Sequence, residues 1–135
     1  MLEVRLIDAV STSDLRNRLL RAGRGHEGFP EDDLPDTFHL GAVDGATVGV
    51  ATFVPGENGW WQLRGMAVDP ARQGEGIGRA ILVEAERRLR AAGAVGMWAN
   101  ARDTALGFYR RAGWVVVGGG YVLVDLPHHR VQRNL

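Results

Sequence analysis

Apolar and polar positions alternate along this chain in segments of strand and helix period, with no internal repeat and no low-complexity tract. Val4 to Ile7 reads as a short strand. Leu15, Leu19 and Leu20 then recur at helical spacing up to Gly23, behind Ser11-Thr12-Ser13-Asp14, whose short polar side chains suit a helix N-cap. Residues 23–36, with Gly23, Gly25, Gly28, Pro30, Pro35 and the acidic run Glu31-Asp32-Asp33, predict a loop with room for one helical turn. Thr37 to Val43 and Thr47 to Val54 are two strands joined at Asp44-Gly45, a dipeptide favoured in tight hairpins. Pro55-Gly56-Glu57-Asn58-Gly59 makes the next turn, and Trp60 to Val68 a third adjacent antiparallel strand.

From Gly76 to Ala92 the side chains Ile77, Ile81, Leu82, Ala85 and Leu89 fall near one face. Glu84 with Arg88 and Glu86 with Arg90 are spaced as ion pairs on the other, and Gly93 ends this helix. Ala94 to Ala99 is a short apolar strand of the kind buried on both faces, parallel to 60–68 because a helix connects the two. Asp103 to Ala112 is a further helix closed by Gly113, and Trp114 to Val117 with Tyr121 to Leu126 completes the sheet as a hairpin. The sum is an α/β (α+β) fold, a mixed and mostly antiparallel sheet of about six to seven strands flanked by about four helices. A single domain over 1–135 is expected, with its core over about 3–126 and a C-terminal tail over 127–135.

At 135 residues and 45% hydrophobic content, the chain is long enough to bury roughly two-thirds of its unfolded surface in one core. Its 16 basic and 16 acidic residues cancel, so there is no basic footprint for nucleic acid. No apolar run approaches the roughly 18 residues of a membrane span, and Met1-Leu2-Glu3-Val4-Arg5 lacks the apolar core of a signal peptide; a soluble cytoplasmic protein is expected. Cysteine is absent, which excludes disulfides, a thiolate nucleophile and thiolate metal sites. All 16 basic residues are arginine. Two readings of that stand side by side: a GC-rich codon usage, to which the 19 glycines also point, or the advantage of having no side-chain amine near an activated acyl group.

The strongest chemical signal is Arg72-Gln73-Gly74-Glu75-Gly76-Ile77-Gly78-Arg79, alternating glycines at the mouth of the amphipathic helix. Glycine lets the chain take positive φ and lets a ligand approach the main chain, while the first helical N–H groups have no internal partner. The helix dipole and the flanking Arg72 and Arg79 add positive charge, so the turn suits a phosphate or pyrophosphate and implies a phosphorylated cofactor. It is not a P-loop, because Gly78-Arg79-Ala80 lacks the Gly-Lys-Ser/Thr, and its G-x-G-x-G spacing is not the dinucleotide fingerprint. A purely structural strand-to-helix turn is the plainer rival.

Two motifs in this order resemble the GNAT superfamily of acyl-CoA-dependent N-acetyltransferases. Met66-Ala67-Val68-Asp69-Pro70-Ala71-Arg72-Gln73-Gly74-Glu75-Gly76-Ile77-Gly78 is similar to the family's strand and Q/R-x-x-G-x-G/A loop, and Ala105-Leu106-Gly107-Phe108-Tyr109-Arg110-Arg111-Ala112-Gly113-Trp114 to its A-x-x-F-Y-x-x-x-G-F/W helix and turn. The resemblance covers about residues 3–126 and is closest to small single-domain bacterial members ending in Pro-His, here Leu126-Pro127-His128-His129. It implies a GNAT-like sheet and transfer of an acetyl group from acetyl-CoA to a primary amine, of a small molecule or a peptide, by direct attack in a ternary complex without a metal. It further implies that Met66 and Val68 present main-chain groups to the pantetheine arm and the thioester carbonyl, with Ala67 between them a further cofactor contact. Arg72, Gln73, Gly74, Glu75, Gly76, Ile77, Gly78 and Arg79 would form the pyrophosphate loop, Asn100, Arg102 and Phe108 further cofactor contacts, and Tyr109 the general acid. A homodimer is compatible with the resemblance.

The chain departs from that pattern in two places. Arg102 stands where members often carry asparagine, with Asn100 two residues earlier, and either can face the cofactor. Trp60 to Val68 contains no carboxylate, whereas many members place a glutamate base there. Glu27, Glu57, His128 and His129 are the remaining bases, and His128 leads because histidine titrates in the useful range. The missing glutamate also permits a non-catalytic acyl-CoA-binding module. Plainer readings remain beside each residue: Phe108 and Tyr109 as core aromatics, His128-His129 as a solvated tail, and Glu31-Asp32-Asp33 as a solvated loop or a greeting for a cationic amine. Trp60 and Trp61 point oppositely on a strand, one to the core and one toward an acceptor cleft.

Overall fold

Seven strands form one sheet in the computed structural model, which describes residues 1–20 and 35–135. In chain order they are β1 (Glu3–Ile7), β2 (Phe38–Asp44), β3 (Ala46–Pro55), β4 (Trp60–Val68), β5 (Gly96–Arg102), β6 (Val115–Leu123) and β7 (Leu126–Asn134). The helices among the described residues are α1 (Ala9–Leu20), α2 (Ile77–Ala91) and α3 (Leu106–Arg111), three rather than about four. The helical turn anticipated within 23–36 falls almost wholly on residues outside those described, as do Glu27 and Glu31-Asp32-Asp33. Strand order is β1-β2-β3-β4-β5-β7-β6, antiparallel throughout except for β4 against β5, which the connecting helix makes parallel.

Side-chain alternation gives the sheet two distinct faces. Leu40, Ala51, Phe53 and Leu63 point to one face, where Ile77, Ile81, Leu82, Ala85 and Leu89 of α2 cover them in the main core. Val50 and Ala67 point to the other and meet Leu15 and Leu19 of α1. The α2 stripe is the one predicted from sequence, and its polar side carries the expected pairs, Glu84 with Arg88 at 2.7 Å and Glu86 with Arg90 at 3.8 Å. Arg87 and Arg88 together hold the Glu84 carboxyl down at about 2. The chain leaves α2 through Gly93 at φ 80, with Ala94 N–H donating to the Leu89 carbonyl.

Four sequence expectations need correction. The hairpin expected of Trp114 to Val117 with Tyr121 to Leu126 does not form: Val115–Leu123 is the single strand β6, and its hairpin partner is β7. Helix α1 starts earlier than Ser11, because the Asp8 carboxylate accepts the Ser11 N–H at 2.8 Å and so acts as the N-cap. The Ser11 side chain, and then its N–H, lower the Asp8 pKa. Trp61 packs against Phe38 in the core, and Trp60 lies over Gly96 at the closed end of the β4–β5 pair, so neither lines a cleft. Residues 127–135, expected as a tail, are almost entirely β7, which inserts between β5 and β6 and pairs with both. Hydrophobic pattern misses such a strand because only Val131 of Leu126–Asn134 is fully buried and apolar, its neighbours being arginines, histidines and glutamine.

The interior position of β7 predicts that Val131→Ala, which empties a site of zero exposure, lowers unfolding free energy by about 2 kcal/mol, and that a chain ending at Leu126 loses its cooperative unfolding transition. Denaturant titration checks both; a truncated chain with native stability would show β7 to be dispensable.

Candidate active site

Strands β4 and β5 pair only through Trp60 with Gly96, Trp61 with Met97 and Gln62 with Trp98, after which they separate. The cause lies in β4. Val50 faces Ala67 while Thr52 faces Arg64, so β4 carries an extra residue, and Gly65 takes the positive φ of 62 that the bulge requires. The bulge bends the second half of β4 away from β5, and alternate main-chain groups from Leu63 to Val68 lose a strand partner on that side. Such groups must be met by solvent or by a ligand.

The gap forms a cleft in two connected parts, joined where Met66, Val68, Gln73, Thr104 and Ala105 line both. One part, of about 560 Å³, lies between the separated strands and is bordered by Met66, Ala67 and Val68 on β4, Asn100 and Arg102 on β5, Tyr109 on α3 and His128 on β7. The other, of about 740 Å³, runs along the glycine turn and the start of α2, past Arg72, Gln73, Gly74, Gly76, Ile77, Gly78 and Arg79, to Phe108 and Arg111. Among the described residues no aspartate or glutamate lines either part.

At the turn, Gly74 and Gly76 sit at φ 82 and 79, and a side chain added at either would meet nothing within 4 Å. The space before them is therefore open to a ligand. The N–H groups of Ile77, Gly78 and Arg79 open toward it, since the first bond of the helix is Ala80 N–H to the Gly76 carbonyl at 3.0 Å. Gly78 serves a different end, with the Phe108 ring 3.1 Å from where its Cβ would stand. Arg72 is not the free charge that the sequence suggested: Nε donates to both oxygens of Glu75 at 2.8 and 3.0 Å, and Nη2 to Asp44 at 3.0 Å. Asp44, also bonded to the amino terminus at 3.1 Å, is held below its ordinary pKa by both partners. Glu75 thereby turns toward Arg72 and does not line the cleft. Arg79 and Arg111 supply the cationic border, Arg79 donating to the Arg111 carbonyl at 3.1 Å.

Tyr109 is 7% exposed, between the rings of Phe108 and Trp114 at 5.1 Å each, with burial raising its phenol well above the usual value. It is both a core aromatic and a cleft residue. Phe108, half-buried against Gly78, is likewise both.

Register then places His128 on the other side. Ala99 with Val131 lies on the α2 face, so the alternate pairs, Asn100 with Arg130 and Arg102 with His128, project to the α1 face. Tyr109 and His128 thus approach one gap from opposite faces of the sheet. Asn100 and Arg102 share a face, so both border the cleft, and strand β5 is open rather than buried on that side. The His128 Nδ1–H donates to the Leu126 carbonyl at 2.8 Å, which leaves Nε2 as an acceptor in the neutral ring. Tyr121 stacks on His128 at 6.3 Å and 14°, and its hydroxyl donates to Asn100 Oδ1 at 2.6 Å. Sequence reading missed Tyr121 and Arg111, whose neighbours in the chain gave no cue to where β6 and α3 would bring them.

Of the other bases, His129 faces the α3 side and bonds Asp103 Oδ1 at 2.7 Å, outside the cleft lining. Glu57 sits in the turn before β4, also outside it. Glu27 lies outside the described residues. No group of acidic, histidine or cysteine side chains suited to a metal occurs among the described residues, and no helix there is long and apolar enough to cross a membrane.

Against known proteins, residues 10–114 match the model of the Acetyltransferase (GNAT) family. The uncharacterized N-acetyltransferase YitI of Bacillus subtilis is 31% identical over 98% of this chain and 95% of its own. Among solved structures, an aminoglycoside 6'-N-acetyltransferase complexed with coenzyme A superposes with a TM-score of 0.83 at 16% identity, covering 98% of this chain and 96% of the other. An acyl-CoA N-acyltransferase from Pseudomonas aeruginosa gives 0.81 at 20% identity, over 98% and 99%. With the family model and the Bacillus relative each spanning most of the sequence, the chain belongs to the GNAT acetyltransferase family, and it is an acyltransferase.

Proposed function

We propose that the protein transfers an acetyl group from acetyl-CoA to a primary amine by direct attack, both substrates being held in the cleft between β4 and β5. The observation that carries this reading is the gap itself, open to both faces of the sheet, with an anion-suited turn leading into it from the α2 side. A donor entering from one face and an acceptor from the other meet without passing each other. The coenzyme A complex of the aminoglycoside enzyme, which shares the fold, supports the choice of donor.

The amides of Ile77, Gly78 and Arg79, with Gln73, Arg79 and Arg111 around them, hold the diphosphate; the open space at Gly74 and Gly76 and the absence of lining carboxylates fit that charge. Free main-chain groups of Met66 and Val68, on either side of Ala67, border the pantetheine and polarise the thioester carbonyl, an effect contributing on the order of 3 kcal/mol. Phe108 completes the wall on the α2 side, and Asn100 borders the cleft on the α1 side. His128 Nε2 takes a proton from the attacking amine. As the N–C bond forms and the C–S bond breaks, Tyr109 gives its proton to the departing thiolate, and both side chains return to their starting states through solvent. Burial raises the Tyr109 pKa, so the phenol is protonated and holds a proton to donate at neutral pH. No metal takes part.

Three variants test these roles. Tyr109→Phe should lower kcat about a hundredfold while leaving the KM for acetyl-CoA within about twofold, and an undiminished kcat removes the acid. Gly76→Ala puts a methyl into open space at a positive φ and should weaken coenzyme A about tenfold in calorimetry; unchanged affinity would place the diphosphate elsewhere. His128→Gln should cost at least about tenfold in kcat at pH 7, with the deficit closing as alkali deprotonates the amine unaided; a deficit constant across pH excludes His128 as base.

A further inference from the structure

The overall neutrality of the chain conceals a segregation of charge. Strands β4, β5, β6 and β7 contain no aspartate or glutamate at all, yet carry Arg64, Arg102, Arg130 and Arg133 with His128 and His129; Arg133 is paired with Glu86 at 2.6 Å and His129 with Asp103 at 2.7 Å, both away from the α1 face. On the α1 face of β5 and β7 the register brings Asn100, Arg102, His128 and Arg130 together. Arg102 is exposed at the cleft, and no ion pair joins it to any described residue. Arg130 is fixed over the Trp98 ring at 4.2 Å. Asn100 accepts the Tyr121 hydroxyl at Oδ1, so its Nδ2 donors are the part left to a ligand. This wall therefore offers hydrogen-bond donors and positive charge, and one acceptor, His128 Nε2.

We propose that the acetyl acceptor is an amino acid, a small molecule carrying a carboxylate beside its amine, whose carboxylate is bound by Arg102 and the Asn100 amide. The proposal rests on the acyl-transfer reading above and names the substrate class for that site. A guanidinium recognises a carboxylate through paired donors, and a polyamine or other polycation would meet only like charge on this wall. Arg102 and His128 are directly opposed across β5 and β7, so a carboxylate on the first brings a nearby amine within reach of the second. Specificity and proton removal are thereby coupled on one pair of strands.

The test measures coenzyme A thiol release from acetyl-CoA with phenylalanine, glutamate, their α-amides and spermidine, comparing kcat/KM per neutral amine. At least one of the two acids should exceed its amide about tenfold or more, and spermidine by more, as expected for a charge-assisted contact. Arg102→Gln, at an exposed position, should bring the acid-to-amide ratio close to one by raising the acceptor KM, while Arg102→Lys keeps part of it. Preference for an amide or for spermidine overturns the proposal, as does an Arg102→Gln enzyme with an intact ratio and a raised KM for acetyl-CoA. Calorimetric binding of coenzyme A without turnover of either acid overturns this proposal alone, whereas failure to bind coenzyme A overturns the acyl-transfer reading beneath it.

Discussion

Everything at the site follows from the short range over which β4 and β5 hydrogen-bond. Main-chain pairing holds a sheet together, and a parallel pair that ends after Gln62 and Trp98 leaves polar backbone groups facing one another across open space. One end of the pair is closed by Trp60 lying over Gly96; the other is opened by the bulge at Gly65. Between these the strands act as a wedge whose walls are fixed by unrelated parts of the core. Leu63 belongs to the cluster under α2 and Ala67 to the cluster under α1, so β4 is anchored to both faces while its edge stays unpaired. A cavity built this way does not collapse, because closing it would require both clusters to move.

The turn before α2 shows a division of labour between charges. Arg72 looks like an anion ligand in sequence, but Glu75, Asp44 and through it the amino terminus hold it as a brace that fixes the loop. Its positive charge is largely cancelled there. The electropositive character of the part of the cleft along this turn depends instead on unpaired helix N–H groups and on Arg79 and Arg111. A neutralised guanidinium shaping the backbone, beside backbone dipoles facing the ligand, is a sounder arrangement than a free arginine, whose flexible side chain would have to be ordered on each binding event.

Much of the fold was legible in the sequence because its signals are local. The α2 stripe from Ile77 to Leu89, the Asp44-Gly45 hairpin and the Gly93 and Gly113 stops are each set by residues within a few positions of one another, and the structure keeps them. The family motifs likewise placed the glycine turn and Tyr109 on one cleft. What could not be read was pairing between distant segments. Nothing in Leu126–Asn134 announces an interior strand, since polar residues, His128, Arg130 and Gln132, occupy its α1 face. The start of α1 was misread because four consecutive polar residues from Ser11 compete for the cap and Asp8 wins by position. Tyr121 comes to Asn100 only through a register shift in β6 between Val117 and Tyr121, a feature without a pattern in sequence.

The place of β7 also governs when the molecule comes into being. Strand β6 precedes β7 in synthesis, yet joins the backbone ladder of β5 only through it, so a chain in which β7 has not yet inserted has an unfinished edge on each side of a missing member. His128 arrives with that same strand. Closure of the sheet and completion of the cleft are consequently a single event, and until then β5 and β6 present two unpaired strand borders that other chains can occupy.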